Sequence, residues 1–209
     1  MFPRGRREET TAPSPPTPER IADTENWSKE SKDGIDVVSF LGERWFEVRE
    51  SKIEGAGMGL FAAREFNRLN IIGRYTGRRT TDEEIDETGR DCAYLLRYEV
   101  ASKTADGTAD GTETIVVDAN PVECGPDFKH AGWMHMMNDA KDPAKTNVFF
   151  TSRGFARALK KINENDELFV NYSLDYWCHE AVTCVDALWL PMNDAQTVPK
   201  CVFEMERGL

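Results

Sequence analysis

The sequence predicts a mainly β protein with short helices. β-branched and aromatic residues recur in short runs, at Ile35 to Phe40, Trp45 to Arg49, Leu60 to Ala63, Ile71 to Tyr75 and Thr114 to Asp118, several alternating in part with polar residues. Gly, Pro and Asp-Gly punctuation separates the runs. No internal repeat or coiled-coil heptad interrupts this pattern. A chain of 209 residues is long enough for one substantial domain, so one domain between two flanks is the economical reading.

Residues 1–34 hold Pro13, Pro15, Pro16 and Pro18 among Ser, Thr and charges of both signs, a composition expected to stay disordered because it cannot offset the entropy of ordering. Arg4, Arg6 and Arg7 form a basic cluster too short to be taken as a localisation signal. After the first two strands, Gly55, Gly57 and Gly59 fall within five residues. Such a segment allows positive φ and close approach of a ligand, and equally serves as a bare surface turn. It lacks the Gly-Lys-Ser/Thr or acidic offset of a phosphate-binding loop.

Ile71 to Gly77 reads as a strand entering a turn, with Tyr75 suited to a core. Thr80 or Thr81 before Asp82-Glu83-Glu84-Ile85 has the form of a capped helix start. The acids from Asp82 to Asp91 suit a basic peptide or a solvated helix face. Cys92 to Val100 and Thr114 to Asp118 read as a hairpin with a long loop over Lys103 to Gly111. Asn120 to Asp127 is loop-like, Phe128 to Met137 a short helix ending near Asn138, Lys141 to Lys145 a turn and Thr146 to Phe150 a strand. Phe155 to Ile162 is a strand or short helix, followed by a polar turn at Asn163 to Asp166. Ala187 to Leu190 and Val202-Phe203 are apolar enough to pack back on the domain.

Composition narrows the function classes. With 26 basic against 37 acidic side chains, the formal net charge of −11 disfavours direct nucleic-acid binding and suits a cationic partner such as a basic peptide tail. No run of 18 apolar residues supports a membrane span, and the N-terminus lacks the apolar core of a signal peptide. Five cysteines beside an adequate apolar core suggest reduced thiols, hence cytosol or nucleus.

One stretch, residues 131–177, concentrates chemistry. His135, Asn138 and Asp139 lie within five residues beside Trp133 and three methionines, where polar groups need buried partners. Glu167 to Tyr172 has the β-formers to make a short strand delivering the Tyr172 phenol to a pocket wall, and Tyr176-Trp177 follows.

Taken together, Gly57-Met58-Gly59-Leu60-Phe61-Ala62, Trp133 to Asp139 and Asp166 to Tyr172 resemble, in order, the Gly-x-Gly-Leu-Phe-Ala, Arg-Phe-Ile-Asn-His-Ser and Glu-Glu-Leu-x-x-x-Tyr segments of SET domains. The middle block has the local form of the PR/SET relatives, and the resemblance runs from about Trp45 to Trp177. It implies the SET fold of small curved sheets with a C-terminal pseudoknot between Asn138 and Tyr172, Asn147 standing at its Pro-Asn position. The implied domains are a catalytic unit over 35–177 between the 1–34 tail and a 178–209 flank.

The resemblance further implies an S-adenosylmethionine-dependent protein-lysine N-methyltransferase in the nucleus. The substrate is a basic protein tail, with a histone first and a non-histone protein as the alternative. Tyr172, with Tyr75, takes the catalytic positions. Gly57, Met58, Gly59, His135, Asn138, Asp139, Tyr172 and Trp177 take cofactor positions, and Tyr75, Phe150, Val170 and Tyr176 line the lysine channel. Two departures matter: Asp139 replaces the family histidine and His135 its arginine. An ionised Asp cannot donate, so backbone contacts or an inverted hydrogen-bond role must replace the histidine. His135 is as well read as a structural histidine, and both changes leave room for a weakly active, SET-like peptide-binding module. Phe150 and Val170 lack hydroxyls, which implies room for more than one methyl group. Cys178-His179, Cys184 and Cys201 do not reproduce the family's zinc-binding tail, and no metal is expected. Oligomeric state is open.

Overall fold

The computed structural model describes residues 16–88, 92–103 and 109–172. Three small antiparallel sheets carry the fold, in agreement with the mainly β expectation. β1 (Trp27–Lys32), β2 (Ile35–Phe40), β3 (Glu43–Glu50) and β4 (Met58–Ala62) form a four-stranded meander. Its first two turns are two-residue loops, Asp33-Gly34 and Leu41-Gly42, with φ of 53° and 80°, then 51° and 81°. Positive φ at both positions matches the twist of a hairpin.

β5 (Ile71–Arg74) leads to β6 (Arg78–Thr80), and α2 (Asp82–Thr88) starts as expected, the Thr81 hydroxyl accepting from Glu84 N at 3.2 Å. β7 (Leu95–Lys103) and β8 (Ala109–Asp118) make the expected hairpin; Lys103 pairs Ala109, so the ladder reaches into what had the pattern of a loop. β9 (Val148–Phe150) and β10 (Phe155–Ala158) pair with β5 in the order β5-β10-β9, settling 155–158 as strand. The third sheet has the order β6-β8-β7. No described helix is long and apolar enough to cross a membrane.

Three expectations need correction. First, the fold begins well before residue 35. Thr17 caps α1 (Pro18–Ala22), Ile21 is fully buried, and the Trp27 indole N–H donates to Ile21 O at 2.9 Å. Trp27 joins an aromatic cluster, 4.8 Å from Phe40 and 5.5 Å from Trp45, with Phe66 5.4 Å beyond. Two apolar residues in a polar stretch are lost in an average of composition, yet each has a built socket. Second, Phe128 to Met137 is not a helix. Gly132 and Trp133 take φ of 87° and 55°, leaving one 3₁₀ turn at Met134–Met136. A Cβ on Gly132 would press within 2.9 Å of Met134 Cε, so crowding as well as φ selects glycine there.

Third, Glu167 to Tyr172 is extended but joins no ladder; it makes single bridges, Phe61 with Glu167 and a parallel one between Asn138 and Phe169. Its partners change residue by residue. Leu168 N donates to Leu60 O (2.8 Å), Phe169 N to Asn147 Oδ1 (2.8 Å), Val170 N to Asn138 O (3.0 Å) and Tyr172 N to Asp139 Oδ2 (3.0 Å). Side-chain oxygens supply half of these acceptors, which meets the backbone's need without a neighbouring strand. The 1–15 part of the tail, residues 104–108, Tyr176, Trp177 and the 178–209 flank lie outside the described residues.

Ile21→Ala tests the docked N-terminal segment: urea unfolding should show a loss of about 2–5 kcal/mol. A loss below about 0.5 kcal/mol, as for a surface residue, would mean the segment contributes nothing to the core.

Candidate active site

The glycine-rich turn is held from behind by an acid. Ser51 N donates to Gly57 O at 2.8 Å and Ala56 N to Ile53 O at 3.1 Å, while Gly55 and Gly57 take φ of 77° and 71°. The Glu167 carboxylate, 3% exposed, accepts from Ser51 Oγ (2.6 Å) and Lys52 N (2.8 Å), with Asn138 Nδ2 3.5 Å away. A Cβ on Gly59 would overlap that carboxylate, so Gly59 is glycine for lack of room. Asn138 Nδ2 also donates to Met58 O at 3.0 Å, tying the turn to the His/Asn/Asp stretch. The sequence reading placed Glu167 within the Glu-Glu-Leu-x-x-x-Tyr resemblance but gave it no role; its hydrogen bonds and the crowding at Gly59 expose that role.

The structure gathers the stretch around Tyr172. The Tyr172 phenol donates to Met137 O at 2.5 Å, and Asp139 accepts from both Lys141 N (2.8 Å) and Tyr172 N (3.0 Å). Asp139 thus works as an acceptor, the inverted role its chemistry requires. Asn147 adds a two-sided clamp, donating from Nδ2 to Glu167 O (2.8 Å) while Oδ1 receives Phe169 N (2.8 Å).

An aromatic wall stands beside this network. Tyr75 is 8% exposed, meets Phe150 edge-on at 5.5 Å and donates its hydroxyl to Tyr94 O at 2.7 Å. Burial, reinforced by the neighbouring Tyr172, pushes the Tyr75 phenol well above its ordinary range, so it stays neutral. That suits a wall residue better than a base. Val170 is buried, and Tyr94, which sequence reasoning missed, packs against the core here. His135 lies 4.1 Å from the His130 ring and 6.2 Å from Tyr94. Burial, then the neighbouring His130, pulls its pKa down to about 3, so it carries no cation near neutrality. His130, whose Nδ1 sits 3.0 Å from Thr76 O, is also lowered by burial. Gly57, Met58, Gly59, Asn138, Asp139, Val170 and Tyr172 form one connected hydrogen-bonded region, while His135 joins the Tyr94 side of the wall. Tyr176 and Trp177 lie outside the described residues.

The histidine pair predicts an acid sensitivity. Between about pH 6.5 and 3 the unfolded chain binds a proton that folded His135 refuses, so stability is complete above about pH 6.5 and falls as pH drops through this window. Urea midpoints should decline from pH 7 to 5, with a slope of at most about 1.4 kcal/mol per pH unit from this group. His135→Gln should flatten that decline, and an unchanged slope would contradict the assignment.

Among solved structures, CpSET8 from Cryptosporidium is similar at 17% identity and a TM-score of 0.39, over 60% of this chain and 56% of that one. Polycomb Repressive Complex 2 of Chaetomium thermophilum, autoinhibited and bound to S-adenosylmethionine, is similar at 22% and 0.41, over 61% of this chain and 15% of that one. A humanized mutant of the same complex bound to the inhibitor GSK343 gives 23% and 0.39, over 60% and 14%. This chain therefore spans little more than half the length of the first and a small part of the others. The SET domain family model matches residues 57–173, more than half of the sequence and all three of the segments on which the resemblance rests. The chain belongs to the SET domain family, of which S-adenosylmethionine is the defining cofactor.

Proposed function

We propose that the chain is a protein-lysine N-methyltransferase acting on a basic tail, with a histone tail as the first candidate and the nucleus as its place of action. The observation that carries the reading is the Tyr172 phenol, fixed through Met137 O and through Asp139 beside the Tyr75–Phe150 wall. The formal charge of −11 supports a cationic substrate.

The residues present fit the cofactor. A Cβ at Gly55 or Gly57 would meet nothing within 4 Å, and Met58 is 42% exposed, so the turn offers open, partly apolar backbone to a ligand. Gly57, Met58, Gly59 and Asn138 would hold it, and Trp177 is retained from the family pattern. Bound S-adenosylmethionine would supply an electrophilic methyl group, which an unprotonated lysine nitrogen would take as the methyl–sulfur bond breaks, the thioether leaving with that bond's electron pair and the methylated amine then losing its proton to water. Tyr75, Phe150 and Val170 keep water from that amine and lower its pKa. The Tyr172 hydroxyl donates to Met137 O, and its oxygen would accept from the amine and set its direction. Asp139 acts through the Tyr172 backbone, and His135 as a neutral ring against Tyr94. Tyr176 completes the channel by resemblance.

Two finer features belong to the same proposal. The hand-over of residues 168–172 between Leu60, Asn147 and Asn138 supports a pseudoknot, in which this segment lies between β4 and the 138–147 stretch. The catalytic unit then runs from about residue 17 to near Trp177. Phe150 and Val170 bring no hydroxyl to hold a water, which supports di- or trimethylation. The weakly active binding module is the second reading; the neutral His135, in place of a family arginine, favours it.

Incubating the chain with labelled S-adenosylmethionine and the four core histones, read by mass spectrometry, tests the proposal. The expected result is label on one lysine, carrying more than one methyl group, with Tyr172→Phe lowering kcat about 100-fold or more while cofactor binding is kept. Cofactor binding with no label on histones or on a panel of basic proteins would favour the binding module. Methylation stopping at one group would overturn the reading of Phe150 and Val170.

A further inference from the structure

A trough that meets the aromatic wall at Tyr75 has a different chemistry from the Tyr172 region. Two adjoining concavities of ≈ 460 and ≈ 260 Å³ share Arg74, Arg79 and Tyr98, and neither is lined by Asn138, Asp139 or Tyr172. Strand register explains the grouping. Arg79 pairs Val117, Tyr98 pairs Ile115 and Val100 pairs Glu113, so these side chains share one face of the β6-β8-β7 sheet. On the other sheet Arg74 pairs Phe155, its guanidinium 5.4 Å from the ring centroid, and Arg153 stands in the turn leading to β10. Tyr98 lies close against that turn, since a Cβ on Gly154 would come within 3.2 Å of its ring. The floor is therefore aromatic and aliphatic, with guanidinium groups around it.

Among the described residues, Arg44, Arg49, Arg64, Arg78 and Arg97 each have a carboxylate within 4.0 Å. Among the same residues Arg74, Arg79 and Arg153 have none, as is true also of Arg20, Arg68 and Arg157, but Arg74, Arg79 and Arg153 alone gather around one apolar floor. The lining also carries Glu113, Asp127 and the Glu25–Lys129 pair at 2.6 Å, leaving four cations to three acids on a chain of formal charge −11.

We infer that this trough docks an extended acidic peptide segment of a partner protein, in which an apolar side chain stands between carboxylates. Each unpaired guanidinium offers a planar pair of donors that matches a carboxylate, and the apolar floor takes the intervening side chain. A polyphosphate chain would also meet the arginines, but it carries no apolar group for the floor. The occupant is opposite in charge to the proposed methylation substrate, although Tyr75 of the proposed channel also lines the trough, and the arginines tested below stand outside that channel.

Fluorescence polarisation with the full chain tests this, using a labelled 12-residue peptide of Glu and Asp around Leu and Phe. Its Gln/Asn counterpart and a 12-nucleotide single strand serve as comparison probes. The expected result is saturable binding of the acidic peptide at low salt. Binding should weaken by about tenfold or more with the Gln/Asn peptide and with Arg79→Glu/Arg153→Glu, whose circular dichroism and histone labelling should match the wild type. Absence of acidic-peptide binding, equal binding by the double variant, or tighter binding of the oligonucleotide would each overturn it. If the double variant does not fold, Arg153→Gln alone is read by the same titration, with a weakening of about threefold expected and no change overturning the inference.

Discussion

Among the described residues the buried Glu167 carboxylate has no cation within 4.0 Å, and its oxygens are satisfied by the Ser51 hydroxyl and the Lys52 N–H, with the Asn138 amide at the margin. A buried carboxylate is tolerable only with such donors, so the three partners are held in place by the cost of leaving it bare. Because the carboxylate fills the space above Gly59, the glycine-rich turn, the start of β4 and the asparagine of the second motif must meet at one point. Three segments distant in sequence are thereby locked to one geometry.

From that point order passes along residues 167–172. Asn147 fixes Glu167 and Phe169, Asn138 receives Val170 N, and Asp139 receives Tyr172 N. The segment has no ladder to stabilise it, so its position depends on these amide and carboxylate side chains. The phenol at its end inherits the accuracy of the chain of contacts before it. A residue that lacks the family histidine's donors can serve here because the groups to be satisfied are backbone N–H groups, for which a carboxylate is the better acceptor.

Much of this was legible in the sequence for a physical reason. Strands β2 to β4, the β7–β8 hairpin and the Thr81 cap follow from local periodicity and turn chemistry, and these survive in the fold because tertiary contacts agree with them. The helix expected over Phe128 to Met137 failed because Gly132 and Trp133 take positive φ, and the crowding of Met134 and Trp27 that selects glycine at 132 is a tertiary contact that the local pattern does not report. Ile21 and Trp27 were missed because two buried residues in a polar stretch leave almost no periodic signal. Tyr172, Asn138 and Gly59 were singled out by resemblance to family segments, one of which also contains Glu167 without giving it a role; Tyr94 was not, since its place beside the wall shows only in what it touches.

The central claim is that the Gly59–Glu167–Asn138 contact sets the glycine-rich turn proposed to hold the cofactor. Calorimetric titration of S-adenosylmethionine into the wild type and Gly59→Ala tests it most directly, because the added methyl group must drive Glu167 off Ser51 and Lys52. The account predicts binding to the wild type and an affinity roughly 10- to 100-fold weaker in a variant that remains folded by circular dichroism. Equal affinities, or a wild type that does not bind the cofactor, would contradict it.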